Sequence, residues 1–222
     1  MKNSNAINKI FFLIHLRDFM HHTSIRCNQK TLRCHAQLLP MLVSAVLLAS
    51  CATTKTRGMQ YPVYVTNTNV VDLLAPEYFD GAVDSLYLLS GSFGGASFFV
   101  QAFMQADDNG IFLTLLNDFG IDMGSMIYTS ENLSFTSTMF PKSLKPQYIA
   151  IDMQFAFYKP DAIAVALQNA GLDFIVEQTG GKEVRKIMKG KKCIEEITKT
   201  HDAIQIVNHL RGYEYNLVEA QN

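Results

Sequence analysis

Cys51 is the residue of this chain best placed for chemical modification. It closes the tetrad Leu48-Ala49-Ser50-Cys51, behind an apolar run from Leu38 to Leu48 broken only by Pro40 and Ser44, with Lys30 and Arg33 on the amino side. Small residues before a cysteine, after a short apolar run with basic residues ahead of it, make the pattern of a bacterial lipobox. The run is too short for a permanent span, which needs about 20 apolar residues. Cleavage before Cys51 would let its thiol carry a diacylglycerol and its new amino group a further acyl chain such as palmitate. At about 0.8 kcal/mol per buried CH₂, two or three chains would make a lasting membrane anchor. The alternative is a cleaved secretory signal that happens to end near a cysteine.

Other chemistry is sparse. Cys27 and Cys34 would leave with the leader and Cys51 would be acylated, so Cys193 stands alone. That excludes an intramolecular disulfide and a metal site built on cysteines. His201 and His209 read as surface or turn residues. Gly91-Ser92-Phe93-Gly94-Gly95 has neither the Gly-x-Ser-x-Gly order of a nucleophile elbow nor the ending of a phosphate loop, and reads as a bend or bulge. Asp107-Asp108-Asn109-Gly110 lacks the alternating carboxylates and closing Glu of a calcium loop, and reads as a hairpin turn. No catalytic residues, metal or cofactor are expected beyond the covalent lipid on Cys51.

These residues divide the chain into a leader with its lipoprotein signal (1–50), a lipidated tether (51–72) and a single domain (73–222). The leader is long, and Met20 is an alternative start. After cleavage, 13 basic face 19 acidic side chains, a net charge of −6. An acidic domain offers no electrostatic case for nucleic acid. Residues 52–72 are Thr- and Asn-rich and without helical period, becoming ordered near Tyr61 or Val70. Ala52, rather than Asp, follows Cys51 and resembles the signal for sorting to the outer membrane, with the domain facing the periplasm.

From Val83 the pattern is β. Phe98, Val100, Ala102, Met104 and Ala106 alternate onto one face, with Phe99 and Phe103 on the other. Residues 111–116, 123–129 and 133–137 continue an antiparallel meander. Residues 146–157 and 161–170 have helical spacing, interrupted at Pro160 and stopped by Gly171. Five further strands follow to Val218. The expected fold is mainly β (α+β), a long antiparallel curved sheet with a covering helical pair.

Two features suit binding. Lys182, Arg185, Lys186, Lys189, Lys191, Lys192 and Lys199 crowd one hairpin. This reads first as a solvated edge whose lysines block further pairing, and second as a site for headgroups or an anionic partner. The strands also carry more Phe, Met and Leu than one sheet face usually needs, which fits either a packed core or an apolar cavity for acyl chains.

The segment from Gly91 to about Gly171 resembles LolB, the outer-membrane lipoprotein that receives other lipoproteins from the periplasmic carrier LolA. It resembles still more a set of LolB-like lipoproteins associated with fatty-acid and aryl-polyene type biosynthetic clusters. The likeness rests on residues 111–116 followed by Asn117-Asp118-Phe119-Gly120, where LolB has an apolar strand followed by Asn-Pro-Leu-Gly, then on the strands from Met123 and Leu133 and the helix-proline-helix unit around Tyr158-Lys159-Pro160. It covers about half of the processed chain, which has no Trp and departs from LolB at Asp118 and Phe119.

The resemblance implies a LolA/LolB-type half-barrel of about ten or eleven strands. Acyl chains or a lipidated partner would lie against Phe98, Phe103, Leu113, Leu115, Phe135 and Met153. Phe119 and Ile121, with Met123 beyond, would form an apolar tip touching the membrane or a partner, or would fold back on the core. A non-catalytic, monomeric, membrane-anchored lipoprotein aiding transfer to the outer membrane follows. The alternatives are a tethered interaction or scaffold protein of an envelope or lipid-biosynthetic complex and, third, an acyl-processing enzyme.

Overall fold

A computed structural model of the chain describes residues 60–220. The leader, Cys51 and the first part of the tether lie outside the described residues. Two meanders make the sheet. The first comprises β3 (Val83–Phe93), β4 (Ala96–Asp107), β5 (Gly110–Leu116), β6 (Asp122–Thr129) and β7 (Leu133–Ser137). The second comprises β8 (Asp173–Thr179), β9 (Lys182–Lys189), β10 (Lys192–Lys199), β11 (Ala203–Asn208) and β12 (Tyr213–Glu219). Pairing of β12 with β3 joins them into one ten-stranded antiparallel sheet, in the order β7-β6-β5-β4-β3-β12-β11-β10-β9-β8. Its edges, β7 and β8, do not meet.

Two helices connect the meanders, α1 (Pro146–Phe157) and α2 (Pro160–Asn169). Each begins with proline after an extended lysine, where the missing N–H costs nothing and the ring sets φ. Residues 150–157 of α1 are all buried. A helix apolar nearly all round belongs inside a protein. Here α1 touches β7 near one edge and β10 and β11 in the other half, so the sheet curves around it as the half-barrel expectation requires.

Several local expectations change. Residues 62–72, expected to be a tether that becomes ordered near Tyr61 or Val70, are ordered from the earlier of those points and hold β1 (Pro62–Tyr64) and β2 (Val70–Asp72), an antiparallel pair with Val63, Val65 and Val71 buried. Alternating valines give this pair a core face, and Asn69 Nδ2 ties it to the Ala170 carbonyl at 2.7 Å. The basic hairpin is not an edge, because β8 pairs along β9 and shields it. Gly94-Gly95 make a tight β3–β4 turn rather than a bulge. In the acidic turn, Asp108 and Asn109 occupy the bend, and Asp107 Oδ1 accepts the Asn109 N–H at 2.8 Å.

Candidate functional site

The loop between β5 and β6 is built around one side chain. Asn117 Oδ1 accepts the N–H groups of both Phe119 and Ile121 at 2.9 Å. The Asn117 backbone closes the loop, its N–H donating to Ile121 O at 3.0 Å and its carbonyl accepting from Gly120 at 2.9 Å. Gly120 takes φ +73°, which a β-carbon would disfavour. Phe119 is left 87% exposed and Ile121 60%. Burying a Phe returns about 1.5–3 kcal/mol, which this loop forgoes while spending four hydrogen bonds on holding the ring out. Of the two sequence alternatives, the loop projects. Met123 behind it is half-buried against the core.

The six residues expected to contact acyl chains separate into three groups. Leu113, Leu115 and Met153 are buried, 5% exposed or less, within the packing between sheet and α1. Phe98 and Phe135 are half-buried and meet Phe140, with ring centroids 5.1 and 6.2 Å apart. This corner lies where β4 begins and the segment after β7 crosses, at the same strand end as Phe119. Phe103 stands apart. It pairs with Leu86 and Thr114 on the convex side and is 36% exposed, because its odd position puts it opposite the Phe98-to-Ala106 face. A chain held inside the half-barrel would not touch it.

An open cleft of about 1070 Å³ lies elsewhere, between residues 70–78 and α2, with Val70, Leu73, Tyr78, Val165 and Asn169 in its wall. None of the six residues lines it.

Sequence reasoning missed the polar interior of the second meander. Arg185, 1% exposed, donates from Nη1 to Phe155 O and Tyr158 O, both at 2.9 Å, and from Nε to Glu183 at 2.7 Å. It thereby occupies the carbonyl end of α1, where a cation suits the helix dipole. Asp152 of α1 accepts the Tyr213 hydroxyl at 2.8 Å and the Tyr215 hydroxyl at 3.1 Å. Glu195 accepts Asn208 Nδ2 at 2.8 Å. Burial raises the Asp152 pKa to about 7, with the tyrosine hydroxyls opposing it. Burial and the Asp152 charge push Glu195 well up. Both carboxylates are 3% exposed or less and neither lines the cleft, so they form a sealed network rather than a cleft dyad.

Outside, a bulge between Cys193 and Glu195 brings Cys193, Glu196 and His209 together, their ligand-type atoms within 4.8 Å. Lys186, in register with Glu196, supplies the neighbouring positive charge.

An open antiparallel half-barrel curved around a buried helix, with the most exposed large apolar side chain among the described residues pinned on an inter-strand loop, is the class that this architecture defines. Within it, the chain belongs to the protein family of unknown function DUF3261, whose model matches residues 87–221. The match runs from within β3 to beyond β12 and so takes in the Phe119 loop, both helices and the polar interior. No curated protein matches the chain.

Proposed function

We propose that this protein is a lipid-anchored, LolB-like lipoprotein of the outer membrane that uses the Phe119 loop to enter the bilayer surface while acylated cargo moves across the adjoining aromatic corner. The observation that carries the reading is the exposure of Phe119 on a loop held by Asn117. A side chain kept out of an available core gains its burial energy only in contact with something else, and an aromatic tip of this size suits the acyl–headgroup boundary. Phe98, Phe135 and Phe140 offer the nearest apolar entry to the interior, where α1 would have to shift to admit a chain. Acylation of Cys51 would keep the domain at that membrane.

The packed interior favours a second reading, a tethered scaffold whose Phe119 loop docks a partner protein. Native mass spectrometry of residues 52–222, purified without detergent and extracted for bound lipid, separates the two. An acyl species released on extraction, with loss of vesicle insertion in Phe119→Glu, supports the carrier. Bare protein that takes up neither fatty acid nor acylated peptide removes it and leaves the scaffold.

A further inference from the structure

The turn between β9 and β10 was expected to lie on a solvated edge, and its true position changes what its lysines can do. Strand direction alternates through the sheet, so every second connection emerges at the same end. The β5–β6 loop with Phe119, the β3–β4 turn with Phe93, the β11–β12 connection and the Lys189-Gly190-Lys191-Lys192 turn all emerge together. The segment between β7 and α1 starts there too. This end carries three exposed apolar tips, Phe93, Phe119 and Ile121, exposed 57%, 87% and 60%. It also carries Lys142, Lys145, Lys189, Lys191, Lys192 and Arg211, against the acids Asp118, Asp122, Asp173 and Glu214. The opposite end has Asp84, Asp107, Asp108, Glu131, Asp202 and Glu219, against Lys182 and Lys199. A domain that is acidic overall is therefore polarised along its strands, basic and apolar at one end and acidic at the other.

We propose that Lys189, Lys191 and Lys192 form a contact site for anionic phospholipid headgroups, working with the Phe119 loop to seat this end of the half-barrel on a negatively charged bilayer. The inference rests on the reading that the Phe119 end meets a membrane, and it names the lipid chemistry that end selects. All three lysines are exposed, and among the described residues none is ion-paired with a carboxylate. Lys189 is positioned by a 2.7 Å hydrogen bond to Thr68 Oγ1. Loop and turn are six strand spacings apart, about 29 Å along the sheet, so they would grip the surface at two separated points. The acids at the far end disfavour the inverted approach.

The test is co-sedimentation of residues 52–222, which contain the whole compact unit, with vesicles of phosphatidylcholine alone or with a third of the lipid as phosphatidylglycerol. Binding to the anionic vesicles should be tighter by on the order of a hundredfold, the gain expected of three lysines near such a surface. Lys189→Gln, Lys191→Gln and Lys192→Gln together should abolish that preference while leaving neutral-vesicle binding and the thermal midpoint unchanged. Raised salt should mimic the triple variant. Equal binding to both vesicles, or a preference that survives the triple substitution, overturns the headgroup site but leaves the Phe119 reading standing. Neutral-vesicle binding that Phe119→Glu does not weaken overturns the Phe119 reading instead, and no binding to either vesicle overturns both.

Discussion

The two meanders line the same half-barrel with different chemistry. On the concave face of the first, Val100, Ala102, Met104, Leu113, Leu115 and Met126 are buried beside Tyr87 and Tyr128, and Tyr128 sends its hydroxyl to the Leu74 carbonyl. On the second, Ile187, Ile197, Ile206 and Leu217 share the face with Arg185, Glu195 and Asn208, while Tyr213 and Tyr215 reach Asp152. Dispersion and the hydrophobic effect hold α1 to the first half, and directional bonds fix its rotation and its end on the second. A lipid tail could slide along the first surface at little cost, whereas on the second it would strand polar groups that have no other partners. The lipid path under the proposed function therefore runs on the β3–β7 side, next to Phe119.

The largest test of this contrast is Arg185→Met. Its guanidinium satisfies two carbonyls at the end of α1, and the substitution strands both, while Glu183 keeps Gln178 and Lys199 as partners. Loss of about 3–5 kcal/mol in urea unfolding is expected, the range for breaking a buried charged arrangement from one side. A cost below about 1 kcal/mol would mean that water already reaches these groups, and the second half would not be the sealed surface described. Asp152 gives a pH-dependent counterpart. An acid whose folded pKa is raised stabilises the fold below its unfolded value near 4, and that contribution is lost as pH climbs through about 7. Stability should fall across this window by at most about 4 kcal/mol, with Glu195 shifting in the same sense. Asp152→Asn should flatten most of the slope in thermal melts followed between about pH 5 and pH 8. A slope that persists in full would assign the effect to Glu195.

The same contrast explains what could be read from the sequence. Alternation along residues 97–106, the prolines opening both helices and the Gly-containing turns all report short-range geometry, so strand order in the meanders and the helical pair were legible. Alternation also places Arg185 with Ile187 and Glu195 with Ile197, on the inward face. Charge overrode it, because Arg and Glu are rarely buried unless paired. The partners that permit burial were invisible: Phe155 and Tyr158 lie 30 and 27 residues from Arg185, and Asn208 lies 13 from Glu195. The bulge at Cys193–Glu195 added Ile194 to the inner face out of turn. Phe119 was half legible. Its neighbours mark a loop, but only the two N–H groups gathered by Asn117 decide that the ring points out.

The smallest expected effects compare the two faces of the first meander through residues both expected to touch lipid. Leu115 is 2% exposed beneath α1, and Leu115→Ala should cost about 2–4 kcal/mol through lost contacts and the space left behind. Phe103, on the convex face and already in part hydrated, should tolerate serine at under about 1 kcal/mol, and Phe103→Ser should leave acyl uptake unchanged. Urea titration of the two variants, with lipid extraction of each, checks both. Equal costs would mean that the convex face, where Leu88, Phe99, Phe112 and Val218 are also exposed, is covered in solution. Apolar contact would then extend to both sides of the sheet, and the division between a lipid-compatible interior and a solvated exterior in this half of the molecule would fail.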